Sequence, residues 1–340
     1  MDKVLILDFG AQYTQLIVRK IRELGVYSEI VPFSLSLSKI KKERPTAIIL
    51  SGGPQSVYEK GAPIPSEGIF QLGVPVMGIC YGLQVMVYLL GGKVAPSKRR
   101  EYGFASLKVL NRAGLLSGIR TESQVWMSHG DKGEEIPADF IVSGITANCD
   151  SAVIEDRARK FFGVQFHPEV VHTKQGKKIL SNFLFSLAGL KAGWSIGSFI
   201  ERKTEEIRQQ VGDQKVICGL SGGVDSLVTS LIVHKAVKGN LHCIFIDNGF
   251  LRKGQFQDLM EKFRARFSIN VVGVDAADLF IDGLKRVTSP ERKRKIIGDI
   301  FIRIFEKEAK KIGRVGFLAQ GTIYPDVIES SPVRGPSSSI

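Results

Sequence analysis

The sequence is poor in several residue types, and each shortage excludes a class of protein. Its 340 residues include only four cysteines, Cys80, Cys149, Cys218 and Cys243, with no CxxC spacing among them. Neither a zinc ribbon nor a disulfide framework is indicated, and a reducing compartment is expected. No apolar run approaches the roughly 18 residues of a membrane helix, and the N-terminal stretch MDKVLILDFGAQ carries acids and turns that a signal peptide lacks. We therefore expect a soluble cytoplasmic protein with no membrane partner.

Acidic residues are also too few to balance the basic ones. The chain has 34 Asp and Glu against 47 Lys and Arg, a net charge of +13. The excess of basic residues is spread evenly along the chain. Residues 1–189 contain 23 basic and 17 acidic residues, and residues 190–340 contain 24 basic and 17 acidic residues. The densest basic run, Arg292 to Lys295, is typical of a solvated helix face, although it is also compatible with a surface that collects phosphates or nucleic acid. Composition alone favours the solvated face.

Short apolar runs alternate with helical patterns in the first half, which predicts an α/β fold with a doubly wound parallel sheet. The predicted strands are Val4–Leu7, Ala47–Leu50, Val74–Ile79, Ser106–Leu110, Ala152–Glu155 and Phe162–Phe166. The predicted helices are Gln12–Leu24, Leu83–Leu90 and a closing helix, Lys177–Leu187.

A glycine-rich segment around Gly189–Gly197 predicts a linker, after which a helix begins with Ser198 as its candidate N-cap. The alternating pattern then restarts, so the expected domains are 1–189 and 190–340, each with a doubly wound parallel sheet. The strands predicted in the second domain are Val216–Leu220, Leu241–Ile246, Asn270–Val274 and Val315–Ala319, and the helices are about Ser226–Val237, Gln255–Phe267 and Pro290–Ile312. The tail from Ser330 to Ile340 predicts no regular structure, and either a frayed terminus or a loop cut before its partner would explain it.

Cys80 lies at a predicted strand-to-helix turn, between Gly78 and Gly82. Such a turn exposes its central side chain, and small flanking residues relieve the crowding of its backbone. The N-terminal end of the following helix favours a reactive thiolate and directs backbone N–H groups towards an oxyanion. Gly52 and Gly53, at another strand end, are candidates for a second donor. A buried structural thiol is the alternative interpretation.

A cysteine nucleophile needs a base and a group that orients the base. The candidates are the five histidines His129, His167, His172, His234 and His242. His167 follows a predicted strand and is itself followed by Pro168 and Glu169, so one strand end would carry both a base and a carboxylate. A core histidine is the alternative for His167, and His129 is predicted to be a loop residue that shapes the site.

GICYGLQ (78–84), SGGP (51–54) and QFHPE (165–169) together resemble the type-1 glutamine amidotransferases over nearly all of residues 1–189. The resemblance implies that Cys80 attacks the side-chain amide of glutamine and releases ammonia. It also implies that His167 acts as base and acid, and that Glu169 orients His167. In the same way, Gly53 and the Tyr81 backbone would form the oxyanion hole, and Gln84 would lie beside the bound glutamine.

A second motif, Ser221-Gly222-Gly223-Val224-Asp225-Ser226, follows a predicted strand and precedes a helix. Its glycines let consecutive N–H groups turn towards an anion, and the helix N-terminus adds its dipole. The hydroxyls of Ser221 and Ser226 can donate to phosphate, whereas Asp225 would need a bridging Mg²⁺. There is no GK[ST] ending, so this is not the common P-loop. A glycine turn with a capped helix is the alternative.

SGGVDS resembles the pyrophosphate-binding loop of the N-type ATP pyrophosphatases, whose fold is adenine nucleotide alpha hydrolase-like and which cleave ATP to AMP and pyrophosphate. Further stretches, IDNGFLRKGQ (246–255), PERKRKIIGDIF (290–301) and AQGTIYPDVIES (319–330), resemble the GMP synthetases. This resemblance implies adenylylation of xanthosine 5'-monophosphate and displacement of AMP by ammonia to give GMP. Asp247, at a strand end, is predicted to meet the adenosine, or else to cap a turn.

The chain departs from the GMP synthetase pattern in two ways. Leu227 stands where a second serine is common after the loop, which removes one hydroxyl from the ATP site. The family also continues past the segment matching 319–339 with a nucleotide-binding lid and a dimerisation domain, so we expect a fragment of a homodimeric enzyme. The alternatives are a glutaminase joined to an ATP-binding module without full GMP synthesis, and a tRNA-modifying pyrophosphatase. The fused amidotransferase domain argues against the nucleic-acid enzyme.

Overall fold

The computed structural model describes residues 2–321, which form two compact units that meet in the sequence between Ser195 and Ile196. The change of unit falls inside the segment predicted as a linker. The tail from Ser330 to Ile340 and most of the 319–330 motif lie outside the described residues. None of the helices in residues 2–321 combines the length and the apolar character that crossing a bilayer requires.

In the described residues, the first unit contains one sheet of nine strands. Strands β1 to β9 are Lys3–Asp8, Tyr27–Pro32, Ala47–Leu50, Val76–Ile79, Lys93–Val109, Glu122–Glu135, Ile141–Ile145, Val153–Asp156 and Phe161–Val164. Helices α1 to α4 are Thr14–Glu23, Leu37–Glu43, Tyr81–Leu89 and Gly176–Ser181, the last of which continues as a π-helical turn, Asn182–Leu187. Short 3₁₀ turns occupy Glu67–Gln71 and Gly114–Leu116.

The sheet has the order β2-β1-β3-β4-β9-β8-β7-β5-β6. Its first five strands are parallel, and the remaining pairs are antiparallel. Successive side chains of a strand point to opposite faces of a sheet. In β1, Val4 and Ile6 accordingly belong to one hydrophobic core with α1, while Leu5 and Leu7 belong to a second core with α3. The predicted α/β fold, with helices on both faces, is confirmed, and the antiparallel extension is an addition to it.

The described residues of the second unit form a sheet of four parallel strands in the order β12-β11-β10-β13. Strands β10 to β13 are Lys215–Leu220, Leu241–Asp247, Val271–Asp275 and Val315–Ala319. Helices α5 to α9 are Ile196–Val211, Val224–Val237, Gln255–Glu261, Ala277–Leu284 and Pro290–Ile312. A π-helical turn, Lys262–Arg266, extends α7, and a 3₁₀ turn, Lys238–Asn240, follows α6.

The second sheet also separates two cores. In β11, Cys243 and Phe245 pack with α6 and α7, and the alternate residues Ile244 and Ile246 pack with α8 and α9. The predicted N-cap of α5 is wrong, because the helix begins at Ile196 and Ser198 lies inside its first turn.

Candidate active site

The first site lies where three neighbouring parallel strands of the first unit end. Strands β3, β4 and β9 are adjacent in the sheet, and their carboxyl ends lead into Gly52-Gly53, Cys80 and His167 respectively. Because parallel strands end at the same edge, segments far apart in the sequence meet there. The structure therefore brings together the three motifs that the sequence analysis singled out.

Cys80 occupies the turn between β4 and α3 with a left-handed backbone, φ 53°. Such a conformation is uncommon for a residue other than glycine, and it persists only where the surrounding structure fixes it. The flanking glycines, Gly78 and Gly82, allow this turn because a side chain at either position would overlap the neighbouring backbone. A methyl group on Gly82 would lie 2.2 Å from the Leu50 carbonyl oxygen, and one on Gly78 would lie 2.5 Å from the Gly82 carbonyl oxygen. The turn thus has the geometry of a nucleophile elbow.

The Cys80 side chain is buried and contacts two residues that come from different segments. Its Sγ donates to the Ser128 carbonyl oxygen at 3.5 Å and accepts from Gln165 Nε2 at 3.8 Å. Gln165 is fully buried, and its Oε1 has no hydrogen-bond partner among the residues that the structure describes. Neither contact was predicted. Gln165 stands in the QFHPE motif and could have been suspected, whereas nothing local in the sequence marks Ser128.

His167 and Glu169 form a buried ion pair beside Cys80. The Nδ1–H of His167 donates to Glu169 Oε1 at 2.7 Å, and the backbone oxygen of His167 accepts from Thr173 Oγ1 at 2.6 Å. Burial on its own would lower the pKa of His167. The Glu169 charge and the hydrogen bond to Cys80 outweigh burial and hold that pKa well above its usual value. With Nδ1 fixed on Glu169, Nε2 is left to exchange a proton with the thiol.

Of the two predicted oxyanion glycines, Gly52 lies against His167 and Cys80. A methyl group on Gly52 would be 3.1 Å from His167 Cε1 and 3.9 Å from Cys80 Cβ. A methyl group on Gly53 would be 3.0 Å from the Phe9 carbonyl oxygen and 3.1 Å from the Tyr81 ring. Tyr81 is the first residue of α3, where backbone N–H groups lack partners within the helix. Glycine at position 52 therefore keeps free the space beside the thiol, and glycine at position 53 allows close packing against Tyr81.

Gln84, one turn into α3, is nearly buried, and its Nε2 donates to the Asp131 carbonyl oxygen at 2.8 Å. The same oxygen lies 2.9 Å from His129 Nδ1. The prediction that His129 is a loop residue is wrong. It lies within β6, opposite Glu101 of β5, since the polar and glycine-rich stretch around it pairs as a strand.

The second site, in the second unit, is the loop between β10 and α6. Ser226 Oγ lies 3.1 Å from Ser221 Oγ and accepts from the Ser221 amide at 3.2 Å. The Gly223 amide donates to Ser221 Oγ at 3.3 Å, and Gly222 has φ +80°, which favours glycine. The loop is thus held in shape by its own two hydroxyls in front of the N-terminus of α6.

Asp225 and Val224 are exposed in the first turn of α6, whereas Leu227 packs against the hydrophobic core. In the described part of the chain, no three His, Cys, Asp or Glu side chains converge as a metal-binding group. The exposed carboxylate of Asp225 still fits Mg²⁺, because Mg²⁺ is usually held by one or two carboxylates together with substrate phosphates.

Asp247 ends β11, the strand beside β10, so its carboxylate lies at the sheet edge that carries the loop. Its Oδ1 accepts the Gly249 amide at 2.9 Å. This contact caps the turn after β11, which is the alternative role that the sequence predicted for Asp247. The basic run at 292–295 is exposed on the first turns of α9, where Lys295 pairs with Glu291.

Comparison with known families agrees with the first site. Residues 5–187 match the family model of the class-I glutamine amidotransferases. The match covers more than half of the chain, so the chain belongs to the class-I glutamine amidotransferase family. Residues 197–290 match the family model of NAD synthase, which confirms the predicted resemblance to ATP pyrophosphatases.

Curated relatives agree with the predicted resemblance to GMP synthetases. The chain is 52% identical over all of its 340 residues to a protein of Brachyspira hyodysenteriae called GMP synthase (glutamine-hydrolyzing). It is also 52% identical, over 96% and 97% of its length, to proteins of the same name from Caldicellulosiruptor saccharolyticus and Clostridium tetani. The chain spans 64% to 66% of the length of these relatives.

One solved structure also resembles the chain. A crystal structure of a Thermoplasma acidophilum protein, described as a putative GMP synthase subunit, superposes with a TM-score of 0.52 at 30% identity. The similarity covers 60% of this chain and 98% of that one.

Proposed function

We propose that the chain is the amidotransferase and ATP-pyrophosphatase portion of a glutamine-hydrolysing GMP synthase. The single observation that carries the proposal is the buried arrangement of Cys80, His167 and Glu169 on one sheet edge, in a chain that also has an SGGVDS loop ahead of a helix. Relatives with 52% identity bear the same name. The NAD synthase match supports the ATP chemistry but does not identify the acceptor.

In the proposed glutaminase reaction, His167 Nε2 takes the thiol proton, and the Cys80 thiolate attacks the side-chain carbonyl carbon of glutamine. The raised pKa of His167 favours this imidazolium and thiolate pair. The Gly53 and Tyr81 amides stabilise the oxyanion, while Gln84 lies beside the glutamine. His167 then protonates the departing ammonia, and water, deprotonated by the same ring, releases glutamate from Cys80. Glu169 keeps Nδ1 protonated throughout.

In the proposed synthetase reaction, the amides and hydroxyls from Ser221 to Ser226 bind the β- and γ-phosphates of ATP. Asp225 would hold Mg²⁺ through the phosphates, and that ion would neutralise charge on the pyrophosphate that leaves. Asp247 would face the adenosine from the neighbouring strand end. The 2-oxygen of xanthosine 5'-monophosphate is adenylylated, and ammonia displaces AMP.

The test measures glutamate, pyrophosphate and GMP separately, with glutamine or ammonium as the nitrogen source and with ATP, Mg²⁺ and xanthosine monophosphate present. We expect glutamine hydrolysis by the wild type and a loss of at least about 10³-fold in Cys80→Ala. Any ammonium-dependent activity should survive in that variant. No glutamate release by the wild type would contradict the glutaminase assignment, and loss of both activities in Cys80→Ala would mean that Cys80 is structural.

The synthetase half is tested by the remaining two products. GMP formed from ammonium would show that these 340 residues suffice for it. Pyrophosphate released without GMP would indicate an ATP-binding module that lacks part of the acceptor site, and the absence of any ATP-dependent product would contradict the assignment of the loop.

A further inference from the structure

A second buried acid and histidine pair lies behind the glutaminase site and has no part in the chemistry described above. Glu101 of β5 and His129 of β6 are register partners across the antiparallel hairpin, and both are buried. Glu101 Oε2 lies 3.2 Å from His129 Nε2. A buried charge requires compensation, so the partners of this pair matter.

The ring nitrogens and the carboxylate oxygens of the pair all have partners among the described residues. His129 Nδ1 faces the Asp131 carbonyl oxygen, which can only accept, so Nδ1 carries a proton. Burial lowers the pKa of His129, and the charge of Glu101 and its hydrogen bond to the ring oppose that shift.

The far side of Glu101 is equally fixed. Thr146 Oγ1 lies 3.0 Å from both carboxylate oxygens, and Asn148 Nδ2 donates to Oε1 at 3.5 Å. The same Thr146 hydroxyl accepts the Cys149 amide, which ties the carboxylate to the loop after β7. The His129 ring is thus anchored from two sides.

His129 connects this anchor to the residues of the glutaminase site. The Asp131 carbonyl that accepts from its ring also accepts from Gln84 Nε2. The carbonyl of Ser128, the preceding residue, accepts from the Cys80 thiol. Two backbone oxygens on either side of His129 therefore meet the nucleophile and the proposed glutamine-binding amide.

We propose that Glu101 and His129 are a positioning pair, which holds the backbone of residues 128–131 so that its carbonyls orient the Cys80 thiol and the Gln84 amide. The inference rests on the proposed glutaminase function. It assigns this role to the contact between Nε2 and Oε2, because that contact joins the His129 ring to the carboxylate anchor.

The decisive comparison is Glu101→Gln with Glu101→Leu. The glutamine amide can donate to His129 Nε2 and accept from Thr146, so Glu101→Gln should keep kcat and KM for glutamine within about twofold of wild type. Leucine makes neither bond, so Glu101→Leu should raise KM about tenfold, with a smaller effect on kcat. Asp150→Asn, an acid-to-amide change at an exposed residue, is the matched control and should change neither constant.

A second readout does not depend on turnover. The rate at which a chloroketone analogue of glutamine alkylates Cys80, divided by the rate with iodoacetamide, reports how well the site holds a glutamine-like molecule. We expect this ratio to fall about tenfold in Glu101→Leu and to be retained in Glu101→Gln. If Glu101→Leu does not fold, Thr146→Val should also lower the ratio. Thr146→Ser keeps the hydroxyl and should retain the wild-type ratio.

A folded Glu101→Leu protein with wild-type KM and ratio would overturn the proposal, as would a Glu101→Gln protein that is as impaired as Glu101→Leu. Failure of the proposed function looks different. In that case the wild type itself would release no glutamate and would show no preference for the chloroketone.

Discussion

The His167 imidazole lies between a carboxylate and a thiol, and both favour its charged form. Glu169 accepts the Nδ1 proton at 2.7 Å inside the protein, where the pair is screened little by solvent. The folded state therefore raises the pKa of His167 above the value of about 6.5 that an unfolded chain would show. This difference links the stability of the first unit to pH.

We expect Glu169→Gln to lower the free energy of unfolding by about 2 kcal/mol, the scale of a hydrogen bond to a charged group, when the pH is below about 6.5. A raised folded pKa contributes stability that is fully present below the unfolded pKa and is lost as pH rises through the folded pKa. The deficit of the variant should therefore shrink towards alkaline pH. Urea unfolding of the wild type and Glu169→Gln between pH 5.5 and 9 measures this deficit in the free energy of unfolding.

Glu135→Gln is the control for this experiment, because Glu135 is largely exposed and should give no pH-dependent difference. A Glu169→Gln deficit of the same size at every pH would mean that the carboxylate acts through shape and not through the charge of His167.

Sequence could predict the residues of the first site that stand in local motifs. Cys80 is marked by its flanking glycines, and His167 and Glu169 follow a strand together. Glu101 and Ser128 could not be found in this way, since each reaches the site through pairing of β5 with β6. Their roles depend on a strand register, which no local spacing reports.

Among the elements, α3 lies very close to the sheet, and this approach is tightly constrained. Helix α3 starts immediately after Cys80, and at Gly82 its backbone almost touches β3, so that no side chain fits at that position. The tilt of α3 in turn sets where the Tyr81 amide and the Gln84 side chain lie. Only a hydrogen atom fits on the Cα of Gly82, because a carbon atom there would force the helix away from the sheet.

Gly82→Ala should lower the free energy of unfolding by about 3 kcal/mol, the upper range for overpacking, because the added methyl group would overlap the Leu50 carbonyl. It should also slow alkylation of Cys80 by the chloroketone analogue of glutamine. Urea unfolding and mass spectrometry of the alkylated thiol provide the measurements.

Gly193→Ala is the matched change. In the described part of the chain, no atom beyond its sequence neighbours lies within 4 Å of the position that the methyl group would occupy, so stability should stay within about 0.5 kcal/mol of wild type. Equal stabilities for the two variants would show that α3 can shift without cost.

At the scale of elements, most parallel strands were predictable, whereas β2 was missed and the antiparallel hairpin was only partly predicted. Strands β1, β3 and β4 are continuous apolar runs, as buried parallel strands are. Strand β6 was missed, and His129 within it was predicted to be a loop residue, because the polar residues there form a strand by pairing with β5. The closing helix was predicted as one helix, but it turns π-helical at Asn182.

For the whole molecule, the net charge of +13 is the property that most favours a nucleic-acid partner. The described structure spreads this charge over exposed side chains of both units, including the first turns of α9. The proposed substrates, glutamine and mononucleotides, need no continuous basic groove.

We therefore expect tRNA binding only at low ionic strength, weaker than about 10⁻⁵ M at physiological salt, as for non-specific contacts with phosphates. Titration of labelled tRNA from 20 to 200 mM salt measures the affinity and its slope. Nanomolar binding that persists at 200 mM salt would favour the tRNA-modifying pyrophosphatase, and inorganic polyphosphate is a suitable control for charge alone.

The order of strands in the first sheet has a consequence for synthesis of the protein. Strand β9 pairs with β4, yet the chain completes its antiparallel strands β5 to β8 between the two. During translation the proposed nucleophile, Cys80, therefore leaves the ribosome well before its proposed base, His167, and at that stage one edge of β4 is still unpaired. The proposed hydrolysis of glutamine requires β9 to be in place, so a nascent chain would release no ammonia before its sheet is closed.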